Sequence, residues 1–344
     1  MNIKDLVRPN IMEMPPYSSA RDEYTSDGSV SLLAANENPF ESDYNRYPDP
    51  YQKELKSTIS KLKEVEVGKI FLGNGSDEAI DLILRIFCEP GEDSIITTDP
   101  TYGMYQVAAS IQNVGVYQIP LSVNFDLPVE TILKTSGEDT KVLFICNPNN
   151  PTGNSFPKTD IDRLIENFNG IVVIDEAYID FTKEESYAQR INQYSNLIVL
   201  QTFSKAWGLA GLRLGMAFTN ELIMNLFNKV KAPYNLSSLT QTTAQALIEN
   251  NKQSTLEKLS IILRDRTRLK EALGPLLCVE QVFNTDTNFL LVRFKDHERA
   301  YQTLTEHKVI VRDRSHALHC EKCLRITVGT SEENNRVISI LESL

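Results

Sequence analysis

The sequence lacks any uncharged apolar run near the roughly 20 residues that a membrane-spanning helix needs. Its first five residues also lack the apolar core of a secretory signal peptide. Only five cysteines occur among 344 residues, and their odd number and wide scatter argue against a disulfide framework. We therefore expect reduced thiols, a cytoplasmic location and no membrane partner.

Positively charged residues are fewer than negatively charged ones: the chain has 35 lysines and arginines but 46 aspartates and glutamates. The formal net charge of −11 would repel phosphate-rich partners, so we expect no general affinity for nucleic acid or anionic membranes. A local basic pocket for one small anion remains compatible with this balance. The length of 344 residues is enough for two domains, or for one large domain with a satellite, and 41% hydrophobic residues are ample for a core.

Histidine is rare as well, and the four histidines all lie at or beyond position 297. None of them matches a motif for a serine or cysteine nucleophile. The spacing His316-x-x-His319-Cys320-x-x-Cys323 resembles a cluster of zinc ligands. However, Cys323 opens a predicted strand, and no second pair of ligands with matching spacing occurs elsewhere. We therefore predict no metal site.

One lysine stands out by its surroundings. Lys205 follows an apolar run at 197–200 that predicts a buried strand. A lysine in a partly dry site loses its proton more easily and, when neutral, can form a Schiff base with an aldehyde. Nearby Thr202, Ser204 and Arg213 would bind an anion, and a lysine beside a phosphate site is what pyridoxal phosphate requires. The alternative is that Lys205 caps the strand while Arg213 lies on a helix surface.

A second candidate for anion binding is a glycine turn between a predicted strand and a predicted helix. Gly73 and Gly75 allow the backbone to approach a ligand closely, and Ser76 is predicted to cap the helix that follows. The exposed amides at such a helix start suit a phosphate. Asp77 and Glu78 would repel a phosphate, so simple helix capping remains the alternative.

Short apolar runs alternate with helical patterns over most of the chain, and most of these runs are apolar throughout. That pattern is typical of strands buried on both faces of a mostly parallel sheet. We therefore predict an α/β fold, with a large domain at 36–250 whose sheet is flanked by helices, and a smaller α+β domain at 251–344. Residues 1–35 are predicted to form an N-terminal arm and part of the small domain. A long charged helix is expected from Asn250 to about Ala272.

Polar side chains follow the predicted strands at their carboxyl ends, where open α/β sheets bind ligands. Besides Lys205, they are Tyr102, Asn150, Asp175 and Tyr178. A buried carboxylate at position 175 could keep a pyridine nitrogen protonated and so turn a cofactor ring into an electron sink. Tyr178 and Asn150 could hydrogen-bond the ring hydroxyl, and Tyr102 could stack on the ring. For each aromatic side chain, ordinary core packing is the alternative interpretation.

Taken together, these motifs resemble those of the class I/II aminotransferases, a family of pyridoxal-phosphate enzymes of fold type I. The resemblance covers nearly the whole chain. The motifs that carry it are Ala35-Asn36-Glu37-Asn38-Pro39, Arg46-Tyr47-Pro48-Asp49, Pro100-Thr101-Tyr102-Gly103-Met104-Tyr105, Asn149-Asn150-Pro151-Thr152-Gly153, Asp175-Glu176-Ala177-Tyr178, Ser204-Lys205-Ala206, Gly208-Leu209-Ala210-Gly211-Leu212-Arg213 and Leu324-Arg325-Ile326-Thr327-Val328-Gly329.

The resemblance implies a role for each residue around the cofactor ring. Lys205 would bind pyridoxal phosphate covalently and later move the substrate proton, and Asp175 would pair with the pyridine nitrogen. Tyr178 and Asn150 would contact the ring oxygen, and Tyr102 would stack on the ring face.

The resemblance also implies how the cofactor phosphate is held. Tyr47 would reach that phosphate from the partner subunit, so a homodimer is implied. The phosphate ligands within the chain would be Gly75, Ser76, Ser204 and Arg213, with Thr202 a weaker candidate.

On the substrate side, the resemblance implies that Arg325 grips an α-carboxylate as a fork, with Asn36 beside it. Arg312 matches the arginine that binds the phosphate of a substrate, and Tyr17 on the arm would close over it. A surface ion pair between Arg312 and Asp313 is the alternative. The segment 314–319 matches no pattern of the family, so further contacts to the substrate phosphate stay open.

The similarity is closest to members that exchange an amino group between L-histidinol phosphate and 2-oxoglutarate, in histidine biosynthesis. The implied products are imidazole-acetol phosphate and L-glutamate. The alternatives are an aminotransferase for aromatic or other amino acids, a decarboxylase of threonine phosphate, and a regulator that binds pyridoxal phosphate without catalysis.

Overall fold

The computed structural model of the chain describes residues 2–16, 31 and 33–344. Within these ranges the chain forms ten α-helices. They are α1 (Pro9–Glu13), α2 (Lys53–Lys63), α3 (Ser76–Phe87), α4 (Met104–Ile111), α5 (Val129–Thr135), α6 (Lys158–Asn167), α7 (Glu221–Val230), α8 (Ser238–Leu273), α9 (His297–Glu306) and α10 (Ser331–Glu342). None of these helices is both long and apolar enough to cross a membrane.

The large sheet has seven strands in the order β1–β7–β6–β5–β4–β2–β3. Strands β2 to β6 run parallel to one another, and β7 runs antiparallel to both β1 and β6. The strands are β1 (Ile70–Asn74), β2 (Ser94–Asp99), β3 (Gly115–Pro120), β4 (Thr140–Cys146), β5 (Ile171–Asp175), β6 (Leu197–Thr202) and β7 (Leu214–Phe218).

Alternate side chains of the central strands enter two different cores. In β4, Leu143 and Ile145 pack on one face of the sheet, whereas Val142 and Phe144 pack on the other. Every residue of β5 is buried. Because helices cover both faces, the runs 142–145, 171–174 and 197–200 within these strands are apolar throughout. The prediction of a mostly parallel sheet flanked by helices is therefore confirmed.

A smaller sheet follows, with four antiparallel strands in the order β10–β11–β9–β8. These strands are β8 (Val279–Val282), β9 (Phe289–Phe294), β10 (Arg312–Asp313) and β11 (Cys323–Thr327). Apolar residues of α9, α10 and the end of α8 form one core with this sheet. The predicted smaller α+β unit is thus present as well.

Helix α8 connects the two sheets and is longer than predicted. It begins at Ser238 rather than Asn250, because the hydroxyl of Ser237 caps it by accepting a hydrogen bond from the amide of Thr240. Its first turns are rich in threonine and glutamine, which obscure the helical pattern in the sequence. The predicted domain boundary between 250 and 251 lies inside this helix.

Strand β7 passes very close to the start of α3. Gly215 pairs with Gly73 of β1, and a Cβ added at Gly215 would lie 2.1 Å from the amide nitrogen of Ser76. The same Cβ would lie 2.2 Å from the carbonyl carbon of Gly75. Only a hydrogen atom fits between the two backbones. This contact holds the Gly75–Ser76 peptide beside Arg213, which directly precedes β7.

We expect Gly215→Ala to lower the free energy of unfolding by about 1–3 kcal/mol, since the new methyl group must push β7 away from α3. Urea denaturation measures this change. Gly68→Ala is the matched control, because a Cβ there meets nothing within 4 Å. An equal, small effect of both substitutions would show that β7 and α3 separate without cost.

Candidate active site

A cavity of about 500 Å³ lies at the carboxyl ends of β4, β5 and β6, between the large and the small sheet. The register aligns Cys146 at the end of β4 with Asp175 at the end of β5, so the loops that follow start at one edge. Twelve of the predicted site residues line this cavity: Gly75, Ser76, Tyr102, Asn150, Asp175, Tyr178, Thr202, Ser204, Lys205, Arg213, Arg312 and Arg325.

Lys205 lies just beyond β6 and points its ammonium group at the cavity wall formed by Tyr178, 5.8 Å from the ring centroid. Burial lowers the pKa of Lys205, and the nearby guanidinium of Arg325 lowers it further. The carboxylate of Asp175 raises the pKa of Lys205, but by less than burial and Arg325 together lower it. A larger fraction of this amine is therefore neutral at a given pH than in a solvated lysine.

Asp175 is the last residue of β5 and is only 2% exposed. The hydroxyl of Tyr105 donates to its Oδ2 at 2.7 Å, and the amide of Ala177 donates to its Oδ1 at 3.1 Å. Burial raises the pKa of Asp175 to about 6, although both hydrogen bonds oppose the rise. Tyr105 was not predicted as a site residue, and its place in the motif around Tyr102 was the only available signal.

The first turn of α3 forms an anion cradle. No side chain caps this helix; Gly75 occupies the N-cap position, so the prediction that Ser76 caps it was wrong. Gly75 has a φ of 74°, and a Cβ there would lie 2.8 Å from Nη2 of Arg213. The amide of Gly75 donates to the carbonyl of Arg213 at 2.7 Å. The cradle therefore combines a helix start with a guanidinium.

Asp77 also lies in this cradle, where its charge was expected to oppose an anion. Its carboxylate accepts a hydrogen bond from the hydroxyl of Tyr102 at 3.0 Å and lies 3.6 Å from Nη2 of Arg213. Asp77 thus holds a ring and a cation in place. Beside it, the hydroxyl of Thr202 donates to that of Ser204 at 3.0 Å, which couples the two predicted phosphate ligands at the end of β6.

The part of the cavity that the small sheet lines is strongly cationic. Arg312 and Arg325 are direct neighbours across β10 and β11, and Arg325 donates to the side-chain oxygen of Asn150. Arg314, to which the sequence patterns assign no role, lines the same cavity. Tyr178 forms the adjacent wall, and its ring packs edge-on against Phe289 at 5.4 Å.

Two predicted site residues, Asn36 and Tyr47, do not line this cavity. Asn36 and Tyr47 line a separate cavity of about 570 Å³. The ring of Tyr47 stacks on that of Tyr234 at 4.4 Å and remains 47% exposed. The expected place of Asn36 beside Arg325 is therefore not met within a single subunit. Tyr17 lies outside the described residues.

The cysteines show no sign of metal chemistry or of cross-linking. All five lie within the described residues and are free thiols, and Cys320 and Cys323 are buried. Cys323 opens β11, as predicted. Among the described residues, no group of three or more histidine, cysteine, aspartate or glutamate side chains is placed to hold a metal ion.

The donor set fits pyridoxal phosphate. Five cationic side chains face the cavity against two acidic ones, Asp77 and Asp175, in a chain whose net charge is −11. The uncapped helix start with Arg213 suits a phosphate at one end. The buried carboxylate suits a protonated ring nitrogen, and the amine of Lys205 suits an aldehyde between them.

Comparison with known proteins supports this assignment. The model of the aminotransferase class I and II family matches residues 24–341. The histidinol-phosphate aminotransferase of Parabacteroides distasonis is 49% identical over 343 residues, which cover 100% of this chain and 99% of the relative.

Solved structures show the same architecture. The histidinol-phosphate aminotransferase of Clostridium acetobutylicum is 25% identical, with a TM-score of 0.78 over 87% of this chain and 90% of that one. The L-threonine-O-3-phosphate decarboxylase of Porphyromonas gingivalis, also 25% identical, has a TM-score of 0.73 at the same coverage of 87% and 90%. The family match and the full-length relative show that this chain belongs to the class I and II aminotransferases, enzymes that use pyridoxal phosphate.

Proposed function

We propose that this enzyme transfers an amino group between L-histidinol phosphate and 2-oxoglutarate, giving imidazole-acetol phosphate and L-glutamate. The observation that carries the proposal is the pair of neighbouring arginines, Arg312 and Arg325, which come from the small sheet and line the same cavity as the anion cradle. A site with a cofactor phosphate at one end and two guanidiniums at the other suits a substrate that is itself phosphorylated. Full-length relatives named for this reaction support the choice.

Pyridoxal phosphate, when bound, supplies a reactive aldehyde and a ring that accepts electrons from the bond being broken. Asp175 is proposed to hold the ring nitrogen in its protonated form. Tyr178 and Asn150 are proposed to hold the ring oxygen, and Tyr102 to cover the ring. The cofactor phosphate is assigned to the cradle of Gly75, Ser76, Ser204 and Arg213, with Thr202 in support through Ser204.

Lys205 is proposed to do the proton transfer. With its pKa lowered by burial, its amine can take the proton from the substrate α-carbon at Nζ and return it later. Arg325 is assigned to the α-carboxylate of glutamate, and Arg312 to the phosphate of histidinol phosphate. Tyr17 is assigned to the same phosphate.

A homodimer completes the proposal. Within one chain, Tyr47 and Asn36 lie in a cavity of their own and away from Lys205. We assign Tyr47 to the cofactor phosphate of the partner subunit, and Asn36 to the substrate site that the same segment then reaches. The free state of all five thiols supports a location in the reducing cytoplasm.

The reaction itself is tested with a panel of amino donors, followed through the absorbance of the bound cofactor. We expect kcat/KM to be highest for L-histidinol phosphate and lower by roughly 10- to 100-fold for histidinol, which lacks the phosphate. Phenylalanine, tyrosine and threonine phosphate test the rival activities. Faster transfer from an aromatic amino acid, or release of carbon dioxide from threonine phosphate, would overturn the proposal.

The role of Asp175 predicts opposite effects on stability and on catalysis. Since its pKa in the folded protein, about 6, lies above the unfolded value, its charge opposes folding above pH 6, and this penalty disappears as the pH falls toward 4. At pH 8, cofactor-free Asp175→Asn should therefore be more stable than the wild type, by about 1–3 kcal/mol. The loaded variant should lose kcat on the order of 100-fold.

Urea denaturation at pH 8 and pH 5, together with steady-state kinetics, measures both effects of Asp175→Asn. The exposed Asp5 supplies the control, and Asp5→Asn should change neither quantity. A variant with normal kcat would remove Asp175 from the catalytic set. A loss of stability at pH 8 would instead mean that its hydrogen bonds outweigh the cost of burying its charge.

Subunit complementation tests the dimer. Lys205→Ala should be inactive, and Tyr47→Phe should be impaired when the cofactor is limiting. If Tyr47 serves the partner subunit, a hybrid of the two variants contains one complete site, so co-refolding them should give more activity than the two samples provide separately. A mixture of Lys205→Ala with the double variant Lys205→Ala/Tyr47→Phe should gain no activity, because neither chain supplies the lysine. Elution as a monomer, or no gain in the hybrid, would contradict the assignment.

A further inference from the structure

Arg314 is a third arginine on the substrate side of the cavity. It follows β10 directly, and its backbone is fixed because its amide donates to the carbonyl of Cys323 at 3.0 Å. Its side chain lines both the main cavity and a smaller cavity of about 150 Å³ beside Tyr102. Arg314 therefore sits on a supported stretch of backbone and not on a loose loop.

Within the described part of the chain, Arg314 has no partner for its charge. No carboxylate there lies within ion-pair distance of Arg312, Arg314 or Arg325, although Asp99 lines the smaller cavity. The buried Nε of Arg314 has no hydrogen-bond acceptor among the described residues. Because buried N–H groups in proteins are nearly always satisfied, this donor is available to an acceptor from outside the protein.

The three guanidiniums form one group. Arg312 and Arg325 are paired across β10 and β11, and Arg314 lies two residues after Arg312 on the same segment. Burial lowers the pKa of Arg314, and the charges of Arg325 and Arg312 lower it further. Three cations that repel one another are stabilised together by an anion with more than one negative charge and several acceptor oxygens.

The two amino donors of the proposed reaction differ in the size and the charge of the anionic group on the α-carbon. At the position where glutamate carries a flat α-carboxylate with one charge, histidinol phosphate carries a CH2–O–phosphate group that extends further and has two charges. Arg325 and Arg312 can form the forks that a carboxylate needs. The guanidinium of Arg314 adds hydrogen-bond donors that the phosphate can reach and the smaller carboxylate cannot.

We propose that Arg314 binds the substrate phosphate and selects the phosphorylated donor over glutamate-like donors. This role rests on the proposed function, because it assigns Arg314 to one of the two half-reactions. In that half-reaction the phosphate oxygens accept from the buried Nε and the terminal nitrogens of Arg314. In the glutamate half-reaction no phosphate is present to accept from these donors.

The experiment compares three donors, L-histidinol phosphate, histidinol and L-glutamate, each in a single half-reaction with the loaded enzyme. Arg314→Gln should lower kcat/KM for histidinol phosphate by roughly 10- to 100-fold, mostly through KM, because charge-assisted hydrogen bonds are lost. Histidinol and glutamate should change by no more than a few-fold. Arg314→Lys, which keeps the charge without the fork, should fall between the two.

Arg264→Gln on α8 is the matched control, because that side chain is 70% exposed and is not part of the cavity lining. Thermal melting and the cofactor absorbance check folding, and Arg314→Lys supplies the comparison if Arg314→Gln does not fold. An equal loss on all three donors would overturn the phosphate role and leave Arg314 as a general structural residue. A selective loss on glutamate would overturn it too, and would assign Arg314 to the γ-carboxylate instead.

The two proposals fail in different ways. If the wild-type enzyme itself shows no preference for histidinol phosphate over histidinol, the proposed function fails. If the wild type has that preference and Arg314→Gln retains it in full, only the role of Arg314 fails.

Discussion

The buried carboxylate of Asp175 is the group on which the rest of the site depends. A charge at the end of a central strand is costly, and two donors, Tyr105 and Ala177, reduce that cost without removing it. The ring of Tyr105 is itself held by stacking on Phe144 at 4.7 Å. Helix α4 thus positions the Tyr105 hydroxyl that donates to Asp175. A protonated ring nitrogen would supply the missing positive charge, so cofactor binding and the stability of this strand end are coupled.

The cavity is cationic although the chain is acidic, because the acidic side chains near it are engaged in other contacts. Asp77 holds Tyr102 and Arg213, and Asp175 is held by Tyr105, so neither acid neutralises the arginines of the substrate end. No side chain caps the start of α3, so its first amides remain available to a ligand. The tight contact of Gly215 with the Gly75–Ser76 peptide fixes the position of this helix start. The local field therefore has the opposite sign to the whole protein, and small anions are drawn to this one place.

Sequence patterns are sufficient to predict the central strands and the groups at their carboxyl ends. Fully buried strands must be apolar throughout, and loops that follow parallel strands meet at one edge, so the sequence alone places Asp175 and Lys205 together. Tyr105 is not recognisable in this way, because its role arises from how α4 packs against the sheet. Arg314 and the separate location of Asn36 and Tyr47 depend on side-chain directions, which no periodicity encodes.

In the proposed mechanism, the two sheets divide the site into a part for chemistry and a part for selectivity. The cofactor cradle and Lys205 belong to the large sheet, whose central strands are packed on both faces, and a shift there would disturb the core. The arginines belong to the small sheet around β10 and β11, and β10 has only two residues and lies at the sheet edge. Under the proposed assignment, substitutions at that edge would alter which anion is bound while Asp175 and Lys205 keep their positions. If so, the same fold can serve different phosphorylated or carboxylated donors, and the edge strand with the residues just after it would decide which donor is accepted.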